Sequence, residues 1–321
     1  MHGIWITWEK QRRNEGLSTA LGWPLYEITH SGSRIKRYVY SITKTVILIR
    51  EEKPRVVVAQ NPSIILAFLV IILRCIFKYK AIIDAHNSGI YPMEGKNASM
   101  MVISRWLQRQ ADLTIVTNSQ LKTFVESNGG RSFVLPDRLP DVPKTRRFPM
   151  QGRGVNIVFI CTFSVDEPFQ EVFHAARSLP EHVKIYVTGR YKGKVDEGTL
   201  PQNIILLGFV PDDQFWALLF TADIIIDLTL REGCLVCGAY EGVALGKPLI
   251  LSDTMILRSY FTKGCVYVAP TATSIASGIM EAIDQRDQLS KESRELKNIL
   301  TQSWDETFAV FKDCVRALFE S

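Results

Sequence analysis

Glu232 and Glu241 stand nine residues apart in the stretch of this 321-residue chain whose residue types and spacing best suit a ligand site, Asp227 to Asp253. An apolar β-branched run ends at Asp227. A polar turn with Arg231, Glu232, Gly233 and Cys234 follows, a helix is expected from about Gly238, and Gly246-Lys-Pro248 leads into the next apolar run. A strand, loop and helix in that order leave backbone N–H groups and the positive end of a helix at one edge, which stabilises a diphosphate. Glu241 then falls in the first turns of the helix, close enough to accept hydrogen bonds from a ribose diol. The simpler alternative for both carboxylates is that an acidic side chain near a helix start complements the helix dipole.

His86 is the second candidate. It follows the apolar run ending at Asp84 and precedes Asn87-Ser-Gly89, so it stands where a strand runs into a turn of small residues. An imidazole titrates near neutral pH and can take a hydroxyl proton; a lone histidine also serves as a packed turn residue. Two further turns end apolar runs, Glu9-Lys-Gln-Arg-Arg-Asn14 and Gln60-Asn-Pro-Ser63. If both face one edge, Arg12, Arg13 and Asn61 can hold a phosphate or the hydroxyls of an acceptor. Arginines at a helix start are equally at home on a plain surface.

Such residues need a scaffold of buried strands to position them. Short β-branched runs alternate with helical patterns along the chain, the signature of parallel sheets covered by helices. Strands are expected at 3–7, 56–59, 81–84, 113–117 and 131–135, then at 156–160, 184–188, 204–207, 224–227, 248–251 and 266–268. Continuous apolar runs of this length suit strands buried on both faces. Helices with acidic starts are expected over 169–179 and 212–221. The proline-broken stretch from Leu135 to Pro149 continues neither a helix nor a central strand and reads as a linker. The expected organisation is two doubly wound domains, 1–143 and 150–303, then an amphipathic helix over 304–321 with Trp304, Phe308, Phe311, Val315 and Leu318 on one face. Ligands at the carboxyl ends of two such sheets imply a cleft between them.

Composition narrows the function classes. A content of 46% hydrophobic and 22% charged residues is that of a folded protein. The net charge of +5 is segregated: residues 1–150 hold 22 Lys and Arg against 11 Asp and Glu, and residues 151–321 hold 16 against 22. A basic half attracts phosphate-rich partners such as nucleic acid, an anionic membrane face or a diphosphate-linked lipid, or is simply a solvated surface. Nucleic acid is disfavoured, because no interleaved exposed aromatics and no recognisable module accompany the charge. Six cysteines, mostly inside apolar runs, read as buried reduced thiols in a cytoplasmic setting. Cys234-x-x-Cys237 has no second ligand pair, so no metal is expected. No Gly-x-Gly-x-x-Gly follows a strand, which disfavours a dinucleotide-dependent oxidoreductase. The N-terminal run meets charge by Glu9 and reads as neither a signal peptide nor a membrane span. Ile64 to Leu73 falls short of the roughly 20 residues a span requires and is expected as a buried helix in preference to an interfacial one.

Glu241-Gly-Val-Ala-Leu-Gly-Lys-Pro-Leu-Ile250 matches the second part of the donor motif of the retaining family 4 glycosyltransferases, and on these residues the chain resembles that family. The resemblance implies the GT-B architecture: two Rossmann-like α/β domains facing across a cleft, the first binding an acceptor and the second a nucleotide sugar. In the family the second Glu of the motif binds the ribose hydroxyls, a role that would pass to Glu241. The first Glu is displaced here, since Glu232 lies nine residues before Glu241 where the family has eight, and Cys234-Leu235 stand in place of Phe-Gly. Either a one-residue adjustment of the loop returns Glu232 to the donor sugar as a catalytic residue, or Gly233 and the amides that follow, through Cys234 to Gly238, act without it. Leu207-Gly-Phe-Val-Pro-Asp-Asp213 is similar to the family's Gly-Phe/Tyr-Val-Pro turn. Ile160 to Pro168 occupies the domain's first loop, which places Thr162 with the donor. Arg190, with Lys192 and Lys194, would balance the diphosphate leaving group of a metal-independent transferase. Arg231 competes for that role, because Asp166 and Glu167 stand near the first loop where the family has an Arg–Lys pair. The family's histidine near this position makes His86 the candidate to contact the donor sugar and accept a hydroxyl proton. The turn from Glu9 to Asn14 replaces the family's Gly-Gly loop.

The function these residues imply is transfer of a hexose-type sugar from a UDP- or GDP-sugar, without metal or further cofactor, to a glycan or polyprenyl-diphosphate-linked acceptor. The setting would be cytoplasmic, with peripheral contact at the inner membrane face through the basic N-terminal half. One alternative is a catalytically silent partner subunit of another transferase, favoured by the displaced Glu232 and the missing Gly-Gly loop. Another is a nucleotide-sugar epimerase of the same fold, for which Asp84 and Glu94 are a thin supply of carboxylates.

Overall fold

The structure is a computed structural model that describes residues 2–61, 63–150 and 154–320, apart from the side chain of Arg12. The chain divides into two compact units, Met1–Arg138 with Ser303–Ser321, and Leu139–Gln302. In the first unit β1 (Gly3–Thr7), β2 (Leu25–Glu27), β3 (Val56–Asn61), β4 (Lys80–Ala85), β5 (Leu113–Val116) and β6 (Ser132–Val134) form a sheet in the order β2-β1-β3-β4-β5-β6. Every pairing is parallel.

Strand periodicity sorts the side chains of this sheet into two cores. Ile4, Ile6, Val57, Ala59, Ala81 and Ile83 face one way and pack with the helices Ile64–Phe77 and Ala98–Gln110. Trp5, Val56, Val58, Ile82 and Ile115 alternate with them, face the other way and meet Trp304, Phe308, Phe311, Val315 and Leu318. Those five aromatic and aliphatic residues belong to a single helix, Arg286–Glu320, which begins in the second unit, where Leu289, Leu296 and Leu300 are buried. The expected separate helix from Trp304 is thus the end of a longer one. No glycine or proline interrupts residues 286–320, and the apolar positions keep a spacing of three and four from Leu296 onward, so nothing ends the helix at Trp304.

In the second unit β7 (Val155–Phe159), β8 (Val183–Thr188), β9 (Ile204–Gly208), β10 (Ile224–Asp227), β11 (Leu249–Ser252) and β12 (Cys265–Val268) lie in the order β12-β11-β10-β7-β8-β9. All pairings are again parallel. Ile157, Phe159, Ile185, Ile224 and Ile226 face the helices Phe169–Ala176 and Ala272–Asp284, and Val158, Tyr186, Ile225 and Leu251 face the helices Asp212–Thr221 and Cys237–Leu245. The segment read as a linker is only partly free, because Leu139, Phe148 and Met150 pack onto the second core and the Phe148 N–H donates to the Thr221 hydroxyl at 2.8 Å.

The helix Ile64–Phe77 corrects an expectation. Its inner side is buried through Leu66, Ala67, Val70 and Ile71, but Ile65, Phe68, Ile72 and Ile76 are exposed. A single layer of helices on a sheet leaves each helix an outer side, and the one charged residue of this helix, Arg74, is turned to Gln110 and Asp112. The cysteines correct another: none of the six is in a disulfide, but Cys161 alone is buried, Cys75 and Cys237 are exposed, and Cys234, Cys265 and Cys314 are half-buried.

Candidate functional site

Strand order reverses between β1 and β3 in the first sheet and between β7 and β10 in the second. In doubly wound sheets ligands gather at the carboxyl ends of the strands at such reversals. Each unit therefore has one edge on which its candidate residues can be placed.

In the second unit that edge is formed by residues 160–168 after β7 and 228–236 after β10. The two loops are tied to each other through Asp166. Its carbonyl accepts the Leu230 N–H at 2.6 Å, its carboxylate accepts the Thr229 hydroxyl at 3.3 Å, and the Arg231 Nε lies 3.3 Å from the same carboxylate. The end of β8 joins from the opposite side. The Lys194 ammonium donates to the Phe163 carbonyl at 2.8 Å, and Gly189 runs so close that a Cβ there would lie 2.1 Å from the Cys161 carbonyl oxygen. With φ at +102° as well, only glycine serves at 189.

The helix Cys237–Leu245 starts at the same edge. The Gly238 N–H donates to the Asp227 carboxyl at 2.7 Å, and a Cβ at 238 would meet Ile160 at 2.5 Å and Asp227 at 2.6 Å, so glycine lets the helix start lie against the strand end. Burial raises the Asp227 pKa well above the ordinary carboxylate range; the Gly238 N–H opposes this, and the charges of Glu167, Glu241 and Asp166 add to it. Glu241, one turn further along, is only 7% exposed and contributes to this acidic cluster. Burial likewise pushes the Cys161 thiol up, with Glu167 adding to the shift.

The structure brings Thr162, Arg231, Gly238 and Glu241 together around the ends of β7 and β10. Gly233 and Cys234 are half-buried in the same loop, and Glu232 there is exposed. Arg190 stands one strand further out, its guanidinium 5.4 Å from the centre of the Phe209 ring. Thr162 is engaged within its own loop. Its N–H and hydroxyl donate to Glu167 at 2.9 and 3.0 Å, and the Ser164 N–H joins them at 2.8 Å. The donors this loop would offer a phosphate are held by the chain's own carboxylate. Glu167, five residues on from Thr162, has no sequence signal for that role.

In the first unit the edge is organised by Arg13. Its Nε and Nη2 donate to Asp84 at 2.9 to 3.0 Å, Nη2 also reaches the Leu135 carbonyl at 2.9 Å, and Nη1 is bonded to Asp137. Burial by itself would lower the pKa of this guanidinium, but the two carboxylates outweigh it and raise the value. Arg13 is thus a buried tie between the first helix, β4 and the segment after β6. For the acceptor phosphate expected of it one N–H remains, because four of its five are committed within the chain. The Arg12 side chain lies outside the described residues.

His86 caps the short helix Asn87–Ile90. Its N–H donates to the Asn61 carbonyl at 3.0 Å, and its own carbonyl accepts the N–H groups of Gly89 and Ile90. Asn61 is fixed in turn, its Nδ2 donating to the Gly89 carbonyl at 3.3 Å. Buried polar atoms on this edge, Gln60 Nε2, Asn61 Oδ1 and His86 Nε2 among them, have no hydrogen-bond partner among the described residues. The nearest carboxylate oxygen to His86 Nε2 is Asp84 Oδ2 at 3.9 Å, beyond hydrogen-bonding reach. Gln60 was not singled out from the sequence, although it ends a β-branched run at the strand edge.

No protein-family model and no curated protein sequence matches the chain. Solved structures do. Sucrose-phosphate synthase from Thermosynechococcus elongatus is similar with a TM-score of 0.80 at 14% identity, covering 100% of each chain. Anabaena HepE in complex with UDP and glucose gives 0.76 at 13%, again over 100% of both chains. A putative UDP-N-acetylglucosamine 2-epimerase from Listeria monocytogenes gives 0.62 at 12%, over 91% of this chain and 90% of that one. At such identities the likeness is one of fold. The chain has the GT-B fold, two Rossmann-like parallel-sheet units in one polypeptide.

Proposed function

We propose that this chain is a glycosyltransferase whose second unit binds a nucleotide sugar at the edge of β7 and β10 and whose first unit binds the acceptor at the edge of β1, β3 and β4. The observation that carries the reading is the placement of Glu241. It is a buried carboxylate one turn into the helix that starts where the strand order reverses, in a chain of GT-B fold. There it would accept the ribose hydroxyls, with Arg231, Lys194 and Arg190 supplying cationic charge to the diphosphate. The donor is a UDP- or GDP-sugar of the hexose type, used without a metal and with retention at the anomeric carbon. HepE holding UDP and glucose on this fold makes UDP the first nucleotide to try.

The unpartnered Gln60 Nε2, Asn61 Oδ1 and His86 Nε2 favour an uncharged, hydroxyl-rich acceptor, a glycan or a lipid-linked glycan. His86 is placed to take the acceptor's proton or to contact the transferred sugar. A cytoplasmic setting follows from such a donor.

One observation favours a second reading, a silent partner subunit. The Thr162 and Ser164 amides are occupied by Glu167, and a transferase that never binds a diphosphate loses nothing by this. The epimerase reading weakens, because Asp84 is neutralised by Arg13 and Glu94 pairs with Lys96 at an exposed site. A panel of nucleotide sugars, scored by thermal protection and by slow hydrolysis, separates the readings. A transferase is protected by at least one member, and a chain that none protects is not a transferase.

A further inference from the structure

The helix Ile64–Phe77 shows an apolar stripe on its outer side. Phe68, Ile72 and Ile76 are 46, 44 and 66% exposed, and with Ile65 they recur at intervals of three and four, one continuous row about 16 Å long. The neighbouring helix Arg34–Glu52 presents Ile35 and Val39 in the same manner, 76 and 60% exposed. Soluble proteins scatter single exposed apolar residues over their surfaces, whereas a continuous row marks a contact surface. The charge around it is mainly basic: the helix Arg34–Glu52 carries five basic residues, with its two acidic ones confined to its last two positions, and from Ile64 to Lys80 there are three basic residues and no acidic one. Arg34, Lys36, Arg37 and Lys44 take part in no ion pair among the described residues.

The two helices also border a groove of about 540 Å³. Trp8, Tyr38, Ile65 and Phe68 line it, together with Arg34, Arg37 and one carboxylate, Glu9. The guanidinium groups stand 5.9 and 5.7 Å from the centre of the Tyr38 ring. Ile65 and Phe68 belong to both stripe and groove, so the surface runs unbroken from exposed aliphatic side chains to a basic recess of a size that takes a ligand (about 300–1,000 Å³).

We propose that this face seats the chain on an anionic lipid bilayer, with Ile65, Phe68, Ile72 and Ile76 entering the acyl boundary and Arg34 and Arg37 taking lipid phosphates. Apolar residues flanked by cations are what interfacial helices use, and anionic lipid attracts each nearby Lys or Arg. Among the described residues no helix is long and apolar enough to cross a membrane, so the contact is peripheral. A second copy of the chain is a poor occupant, because a two-fold contact through this face would set one Arg34–Arg50 basic run against another. The proposal makes no use of sugar transfer and stands or falls separately from it.

Co-sedimentation with vesicles of phosphatidylcholine alone and of phosphatidylcholine with phosphatidylglycerol tests it, on the full chain and without nucleotide. The wild type should sediment with the anionic vesicles, release in high salt and leave the neutral ones. Arg34→Gln with Arg37→Gln should lower the partition by roughly thirtyfold, about fivefold per charge. Ile72→Asp with Ile76→Asp should abolish binding while thermal unfolding stays at the wild-type temperature, since both positions are exposed. Equal binding to neutral vesicles, or unchanged binding by both double variants, would overturn the proposal. So would a wild-type dimer in solution that Ile72→Asp dissociates, because the stripe would then belong to a second copy.

Discussion

The two strand edges share an architecture and differ in what holds them. The first is closed around a cation: Arg13 takes up Asp84, Asp137 and the Leu135 carbonyl, and what the edge leaves unsatisfied are amide and imidazole atoms of Gln60, Asn61 and His86. The second gathers carboxylates, Asp166, Glu167, Asp227 and Glu241, which backbone N–H groups and close-approaching glycines hold in place, with Arg231 and Lys194 at its rim. An edge whose charges are tied to one another suits hydroxyl-rich ligands. An edge with carboxylates within and cations at its rim suits a ligand carrying both a diol and a diphosphate.

Substitutions can break or sharpen this contrast. Removing Asp84 should have the largest effect, since Asp84→Ala leaves a buried guanidinium with Asp137 as its one remaining carboxylate. Breaking a buried pair costs up to about 3–5 kcal/mol, readable as a lower midpoint in urea unfolding. His86→Ala comes next: turnover should fall by about a hundredfold, the usual scale for a lost proton acceptor, with nucleotide affinity unchanged. Wild-type turnover in that variant would rule out a catalytic part for the histidine. Glu241→Ala should weaken nucleotide binding by roughly ten- to a hundredfold, the range for a lost charge-assisted hydrogen bond or pair of them, in calorimetric titration of a folded variant.

Asp227→Asn should have the smallest effect at low pH and a growing one above it. The pKa of Asp227 is raised in the folded chain, so its contribution to stability is present at low pH and is lost as the pH climbs through the raised value. Asparagine keeps an acceptor for the Gly238 N–H and cannot ionise. Unfolding measured over a pH series should show a flatter alkaline limb in the variant, and parallel curves would mean that Asp227 is already ionised.

Most of the scaffold was legible because parallel strands buried on both faces leave continuous apolar runs, as at 224–227 and 56–59. The three-residue strand Leu25–Glu27 was not, since Leu-Tyr-Glu is only half-buried and leaves no continuous apolar run. The site was legible where backbone geometry dictates composition: Gly238 and the helix after it follow from the strand, turn and helix pattern. It was illegible where partners lie far apart in the chain. Nothing near Arg13 indicates that Asp84 and Asp137 will claim it, and only the folded chain shows Glu167 occupying the amides of Thr162 and Ser164. The outer stripe of Ile64–Phe77 was hidden for a different reason, because an apolar run reads alike whether it is covered or bare.

Hydrogen exchange of the whole chain, with and without saturating UDP or GDP, tests the central claim most directly. The account predicts slowed exchange over residues 237–245 and 160–168 with one of the two nucleotides, and loss of that protection in Glu241→Ala. Unchanged exchange in both segments with either nucleotide, or protection confined to residues 1–138, would contradict it.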